Sequence, residues 1–157
     1  ILAEVSGSMA VAAPAGEFTL TARADRIDVK PGGIVITDYK NSPPKKPAVI
    51  AGYAPQLPLE VAIAAAGGFA GLPASPTMMM RFIEAKGGDP PGQEIVIEAE
   101  IPVIAKAAID GLSRLVARYD DPRTPYRAVR RRAFRNDYDD YAHLARVAEW
   151  SGTGGDD

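Results

Sequence analysis

The sequence predicts an α/β domain built on a mixed central β-sheet flanked by helices. Three observations lead there. Two β-branched segments, 17–29 and 33–40, alternate apolar and polar residues around "KPGG", the pattern of paired strands about a turn. Two more such segments, "TMMMRFIEAKG" and "QEIVIEAE", follow after a helix-like stretch. A long amphipathic stripe then runs from Ile101 to Tyr119, with apolar residues at three- and four-residue intervals, one face for a sheet to cover.

In chain order, residues 3–13 are a weak strand candidate that ends in the turn-like "APAGE". The strands at 17–29 and 33–40 come next. "NSPPKKPAVIAGYAP" is read as loop on its four prolines. "QLPLEVAIAAA" reads as a helix from Gln56 to about Ala66, with Pro58 in the first turn, where a missing N–H costs nothing, and glycines 67, 68 and 71 to end it. Strands are expected at 77–87 and 93–100 and the long helix at 101–119. An arginine-rich connector at 120–136, a short helix "DYDDYAHLARVAEW" and a disordered tail at 152–157 complete the chain. Residues 1–151 are expected to form one domain, and the start at Ile1, apolar at once, suggests a piece of a longer protein.

Composition narrows the function classes. The chain has 157 residues, 46% of them apolar and 24% charged, with a net charge of −2. Such a chain has no bulk attraction for nucleic acid, so any such contact needs local clustering. There is no cysteine; disulfides, thiolate zinc sites and an iron–sulfur cluster in this chain are excluded, and a cytoplasmic setting is expected. No apolar run reaches the length of a membrane span, so no membrane association is expected.

The hairpin holds the feature that points to chemistry. A turn centred on Pro31 and Gly32 sets Val29 against Ile34, Ile27 against Ile36, and Asp25 against Asp38. Side chains alternate along a strand, so the two acids would face the same side with Cβ atoms about 4.5–5.5 Å apart, and like charges so placed repel. Two compensations are open. One is a structural ion network with arginine or Lys40. The other is a divalent cation, Mg²⁺ or Mn²⁺, which takes one or two carboxylates with water and phosphate; Lys40, two residues past Asp38 on the same face, would then serve phosphodiester hydrolysis. Asp28 lies on the opposite face beside Arg26 and reads as solvated or salt-bridged, unless a bulge exchanges it with Asp25.

"ARADRID", "VITDYK" and "GYAPQLPLE" resemble the ordered motifs of the RecB-like branch of PD-(D/E)XK nucleases: G-x-x-D, D-Y-K and a helix-initiating glutamine. With "FTLTARADRID", "APQLPLE" and "DYAHLARVAEW" the chain is similar, from about residue 17 to 151, to the C-terminal nuclease domains of AddB-type double-strand break repair proteins. The resemblance implies a restriction-endonuclease-like core and a Mg²⁺-dependent DNA exonuclease module of a helicase–nuclease that processes duplex ends together with an AddA-type subunit. It implies Asp25 and Asp38 as metal ligands, Lys40 as the catalytic lysine and Gln56 as a residue supporting the site; from the residues alone Gln56 reads as a helix cap partner. Ala22 replaces the motif glycine, Asn41 and Ser42 follow Lys40 where Thr-Gly is common, and Glu60 stands where many relatives have tyrosine. A further ligand of the family lies on a helix upstream of the first strand; Glu4 reads as a surface residue rather than its substitute. The second functional reading is a nuclease-like fold without catalysis, serving as a DNA or subunit platform.

For DNA contact, Arg127, Arg130, Arg131 and Arg132 crowd with Arg123 and Arg135 into thirteen residues, interleaved with Tyr126 and Phe134, a patch fit for phosphates or equally for a partner surface or solvent. Lys45 and Lys46 follow the Asp38 strand and are placed to flank a substrate. Met78, Met79 and Met80 read as a buried strand, His143 as a surface residue, and Tyr138, Tyr141 and Trp150 as anchors of the last helix.

Overall fold

The computed structural model describes residues 1–89 and 91–125. By its contacts the chain divides into two compact units, 1–121 and 122–157; the elements below belong to the first. The expected arginine-rich patch at 127–135, the terminal helix with His143 and Trp150, and the tail lie outside the described residues.

Five strands form a mixed sheet in the order β1 (Leu2–Ala13), β2 (Gly16–Lys30), β3 (Gly33–Lys40), β4 (Thr77–Glu84) and β5 (Glu94–Ile97). All neighbours are antiparallel except β3 and β4, which run parallel. A parallel pair needs a crossover, here α1 (Lys46–Ile50) and α2 (Gln56–Ala65); α3 (Ile101–Asp120) follows β5. The fold class is the expected one, a mixed sheet with helices. Its details differ at four places. The weak first strand is twelve residues long. The proline-rich loop holds α1, because Pro47 falls in the first turn, where its fixed φ suits a helix and its missing N–H is not needed. The two later strands stop early, at Glu84 and Ile97. Of the three methionines only Met80 is fully buried, while Met78, at the start of β4, is 48% exposed.

The core lies between the sheet and the helices. Ile27, Ile34, Ile36, Met80, Phe82 and Ile97 from the strands meet Leu57, Val61 and Ile63 of α2 and Ile101, Ile104 and Ala105 of α3. Ladder partners Ile36–Met80 and Asp38–Phe82 continue one another across β3 and β4, so the side-chain row that fills the core ends, at the carboxyl ends of these strands, in an acid. Along α3 the expected stripe is buried at Ile101, Ile104, Ala105 and Ala108, whereas Leu115 and Tyr119 are exposed.

Asp28 is not solvated. Its carboxylate is buried and accepts from Arg26 Nε at 3.1 and 3.0 Å and from Arg26 Nη2 at 2.9 Å, with Arg81 Nη2 3.8 Å away. The hydrogen bonds from Arg26 hold its carboxyl below the usual carboxylate range. Arg81 also donates to Thr37 Oγ1 at 2.9 Å and pairs with Glu94 at 3.2 Å, which ties β2, β3, β4 and β5 together by side chains.

The outer edge of β1 is covered by the chain leaving α2. Ser8 N–H donates to the Gly68 carbonyl at 3.0 Å, Ala70 N–H to the Ser6 carbonyl at 3.1 Å, and Gly7 bridges Phe69. An exposed edge invites pairing with another chain, and this strap occupies it. Gly68 permits the approach, since a Cβ there would overlap the Ser8 carbonyl oxygen.

Gly68→Ala is expected to lower stability by about 2 kcal/mol, measured by urea unfolding. Asp28→Ala is expected to lower stability by removing the buried acceptor of the Arg26 hydrogen bonds, measured in the same way.

Candidate active site

The β2–β3 ladder confirms the register read from the turn: Val29 pairs with Ile34, Ile27 with Ile36, and Arg26 with Thr37. There it stops, one pair short of the expected Asp25–Asp38 opposition. Beyond Thr37 the Asp25 side chain takes over from the backbone, its Oδ2 accepting from Tyr39 N–H at 3.0 Å. The same point disturbs β1, where Glu4, across from Asp25, has φ +53° and drops out of an otherwise continuous β1–β2 register. Alternation also breaks here: Ala24 and Ile27, of opposite parity, are both buried in the core. The two acids therefore meet at a break in the ladder, with one of them holding the neighbouring strand by its main chain.

Asp38, 3% exposed, ends the buried row of β3. Its Oδ1 accepts from Gln56 Nε2 at 2.7 Å and from Lys40 Nζ at 3.2 Å. Its Oδ2 lies 2.9 Å from Lys40 Nζ, yet at an angle that makes no hydrogen bond, and it has no other partner. Lys40 is about a third exposed, so its ammonium bridges the buried acid and the surface.

Gln56 is the first residue of α2, and its side chain caps nothing. The cap reading gives way to a bridge: Nε2 also donates to Glu60 Oε1 at 3.2 Å, one helical turn on. Residues four apart share a helix face, which lets one carboxamide reach both an acid of its own helix and an acid of β3.

Glu60 is the residue that sequence reasoning left without a role. It is 2% exposed, and its Oε2 has no hydrogen-bond partner. Burial, reinforced by the charges of Asp38 and Asp25, pushes its carboxyl up to about 7 against the opposing effects of Gln56 and Lys40. The signal was its spacing from Gln56, which an ordinary solvated helix face would also show.

Asp25, Asp38, Lys40, Gln56 and Glu60 are thus drawn together from β2, β3 and α2. Lys45 and Lys46 stand exposed at the start of α1, just past the end of β3. Glu4 is exposed and paired with Arg23 at 2.9 Å, away from these acids in its bonding. The donor set suits a hard divalent cation, which takes one or two carboxylates and completes its shell with water and substrate oxygen: Asp38 keeps a buried oxygen without a hydrogen bond, and Asp25 is held by the amide of the residue after Asp38, Tyr39. Among the described residues no three His, Cys, Asp or Glu side chains form a cage that would hold an ion by themselves.

A carboxyl whose folded value lies near 7, against 4.5 in the unfolded chain, favours the folded state most below pH 4.5 and loses that contribution as pH rises to 7 and beyond. Between pH 5 and 8, in the absence of metal, Glu60→Gln is expected to flatten the fall in melting temperature expected of the parent and to be the more stable of the two at pH 8, by on the order of 3 kcal/mol at most. Thermal melts across that range measure it.

No curated protein matches the chain. A solved structure titled "Crystal structure of SSO0001" is similar at 14% identity and a TM-score of 0.43, over 71% of this chain and 48% of that one; the chain spans about half the length of that protein. The model of the PD-(D/E)XK nuclease superfamily matches residues 2–145. Members of that superfamily are generally nucleases that use divalent metals, and both the mixed sheet and the motif-bearing strands fall within the match. The chain belongs to the PD-(D/E)XK nuclease superfamily.

Proposed function

We propose that this domain is a Mg²⁺- or Mn²⁺-dependent DNA nuclease of the AddB type, the exonuclease module of a helicase–nuclease that processes double-strand ends with an AddA-type subunit in the cytoplasm. The observation that carries the catalytic reading is the buried Asp38 carboxylate, held by Gln56 and Lys40 while one of its oxygens stays without a hydrogen bond. An acid in that state is costly in a purely structural role. The motif resemblance at "VITDYK" and "APQLPLE" supports the narrower AddB assignment.

In this reading Asp25 and Asp38 hold the ion. When bound, it supplies Lewis acidity for attack of water on phosphorus. Gln56 fixes the Asp38 carboxylate by a 2.7 Å hydrogen bond, and Asp25 is fixed by the Tyr39 amide, so both acids are oriented before substrate arrives. Lys40 places an ammonium at the open side of Asp38, where it stabilises negative charge on the non-bridging phosphate oxygens as the water oxygen bonds phosphorus and the P–O ester bond breaks. The exposed Lys45 and Lys46 contact the phosphates of the strand without reading its sequence. The arginines 127, 130, 131 and 132, which lie outside the described residues, are read from the sequence as a second phosphate-binding patch.

Linear duplex DNA with Mg²⁺ or Mn²⁺, incubated with the protein that carries this domain, is expected to be degraded. Asp38→Ala is expected to abolish the digestion, and Lys40→Ala to slow turnover by about 10²–10³-fold. Mutants that cut as fast as the parent would reject the nuclease assignment in favour of a DNA or subunit platform.

A further inference from the structure

Glu60 is a buried acid linked to Asp38 through Gln56, and no cationic side chain forms an ion pair with it among the described residues. Gln56 Nε2 serves Glu60 Oε1 and Asp38 Oδ1 together. The remaining oxygens of the two acids, Glu60 Oε2 and Asp38 Oδ2, are both buried and both without a hydrogen bond. A buried carboxylate oxygen left without a hydrogen bond is unfavourable. A helix position inside the α2 core face, beside Leu57, Val61 and Ile63, would ordinarily carry an apolar residue.

The two acids share one bridging amide through Oε1 and Oδ1, and that arrangement asks for positive charge at the oxygens that Gln56 does not cover. Lys40 partly supplies it to Asp38, and no ion pair reaches Glu60 among the described residues. Hard divalent ions keep part of their water when they bind, and acids just outside direct contact act as acceptors and orienting groups for such a site. The absence of a three-acid cage among the described residues fits an acid of this second kind.

We infer that Glu60 is a positioning residue of the divalent-cation site, acting through Gln56 and its own free oxygen rather than as a direct ligand. The inference rests on the metal-dependent reading above. It gives the site a third acid beside Asp25 and Asp38. Glu60→Gln is nearly isosteric; its amide oxygen can still accept from Gln56, and only the charge is lost.

Titration calorimetry of the intact chain with Mn²⁺ alone, without DNA, tests it alongside Asp38→Asn and, as a remote change of equal charge, Glu4→Gln. Glu60→Gln is expected to weaken Mn²⁺ binding by about 10–100-fold without lowering the metal-free melting temperature, and Glu4→Gln to bind as the parent does. Parent-like affinity in Glu60→Gln, with Asp38→Asn impaired, overturns the role of Glu60 and leaves the metal site standing. Equal weakening by Glu4→Gln overturns it as a general charge effect. A Glu60→Gln chain that fails to fold, or loses stability yet keeps its affinity, marks a purely structural acid and overturns it too. Parent and Asp38→Asn chains that bind alike, or a parent that binds no Mn²⁺, overturn the metal-dependent reading along with it.

Discussion

The arrangement depends on one constraint: a carboxylate, Asp38, is carried into the apolar face of the sheet by the same alternation that buries Ile34 and Ile36. A strand that alternates in and out has no freedom to turn one residue away without a bulge. Asp38 must therefore be reconciled with its surroundings by other elements, and Gln56 and Lys40 do so from two directions, the first from the helix that covers the sheet and the second from the strand itself. Burial costs an acid its water, and polar partners return part of that loss.

The crossover makes this possible. Parallel pairing of β3 and β4 obliges the chain to leave the end of β3, cross the sheet and come back, and α2 begins at the point where it turns down over the core. Its first residue thereby lies over the last buried residue of β3, although eighteen positions separate Gln56 from Asp38. The opposite side of the sheet is organised differently: Asp28, Arg26, Arg81 and Glu94 satisfy one another. Two acids of one strand, Asp25 and Asp28, consequently differ in kind, the second fully engaged by guanidinium groups and the first by a single main-chain amide.

Much of this was legible in the residues. The turn at Pro31–Gly32 and the β-branched runs beside it fix the hairpin register, because a one-residue slip would expose Ile27 and Ile36. The placement of Asp28 away from Asp25 followed from parity alone. The Asp25–Asp38 opposition did not survive, since strand pairing by pattern assumes an unbroken ladder, and the ladder yields where a side chain can replace a main-chain acceptor. Met78 was misplaced for a related reason: a run of three apolar residues does not reveal which of them a strand turns outward. Glu60 was hidden because glutamate four residues from glutamine on a helix is commonplace, and only the cover of neighbouring elements distinguishes it. Pro47 looks like a loop breaker among its neighbouring prolines, yet a proline suits a first helical turn.

The strap formed by residues 68–70 follows directly on α2 and is fastened to β1 by main-chain hydrogen bonds at Ser6 and Ser8. It therefore acts as an anchor for the far end of that helix. Because α2 is moored to the first strand at one end and to the third at the other, through Gln56, it cannot pivot without tearing a contact at one of its two attachments. The spacing between its polar residues and Asp38 is thus preset in the resting fold, and the entropic toll of arranging these groups is met during folding rather than at each encounter with a ligand.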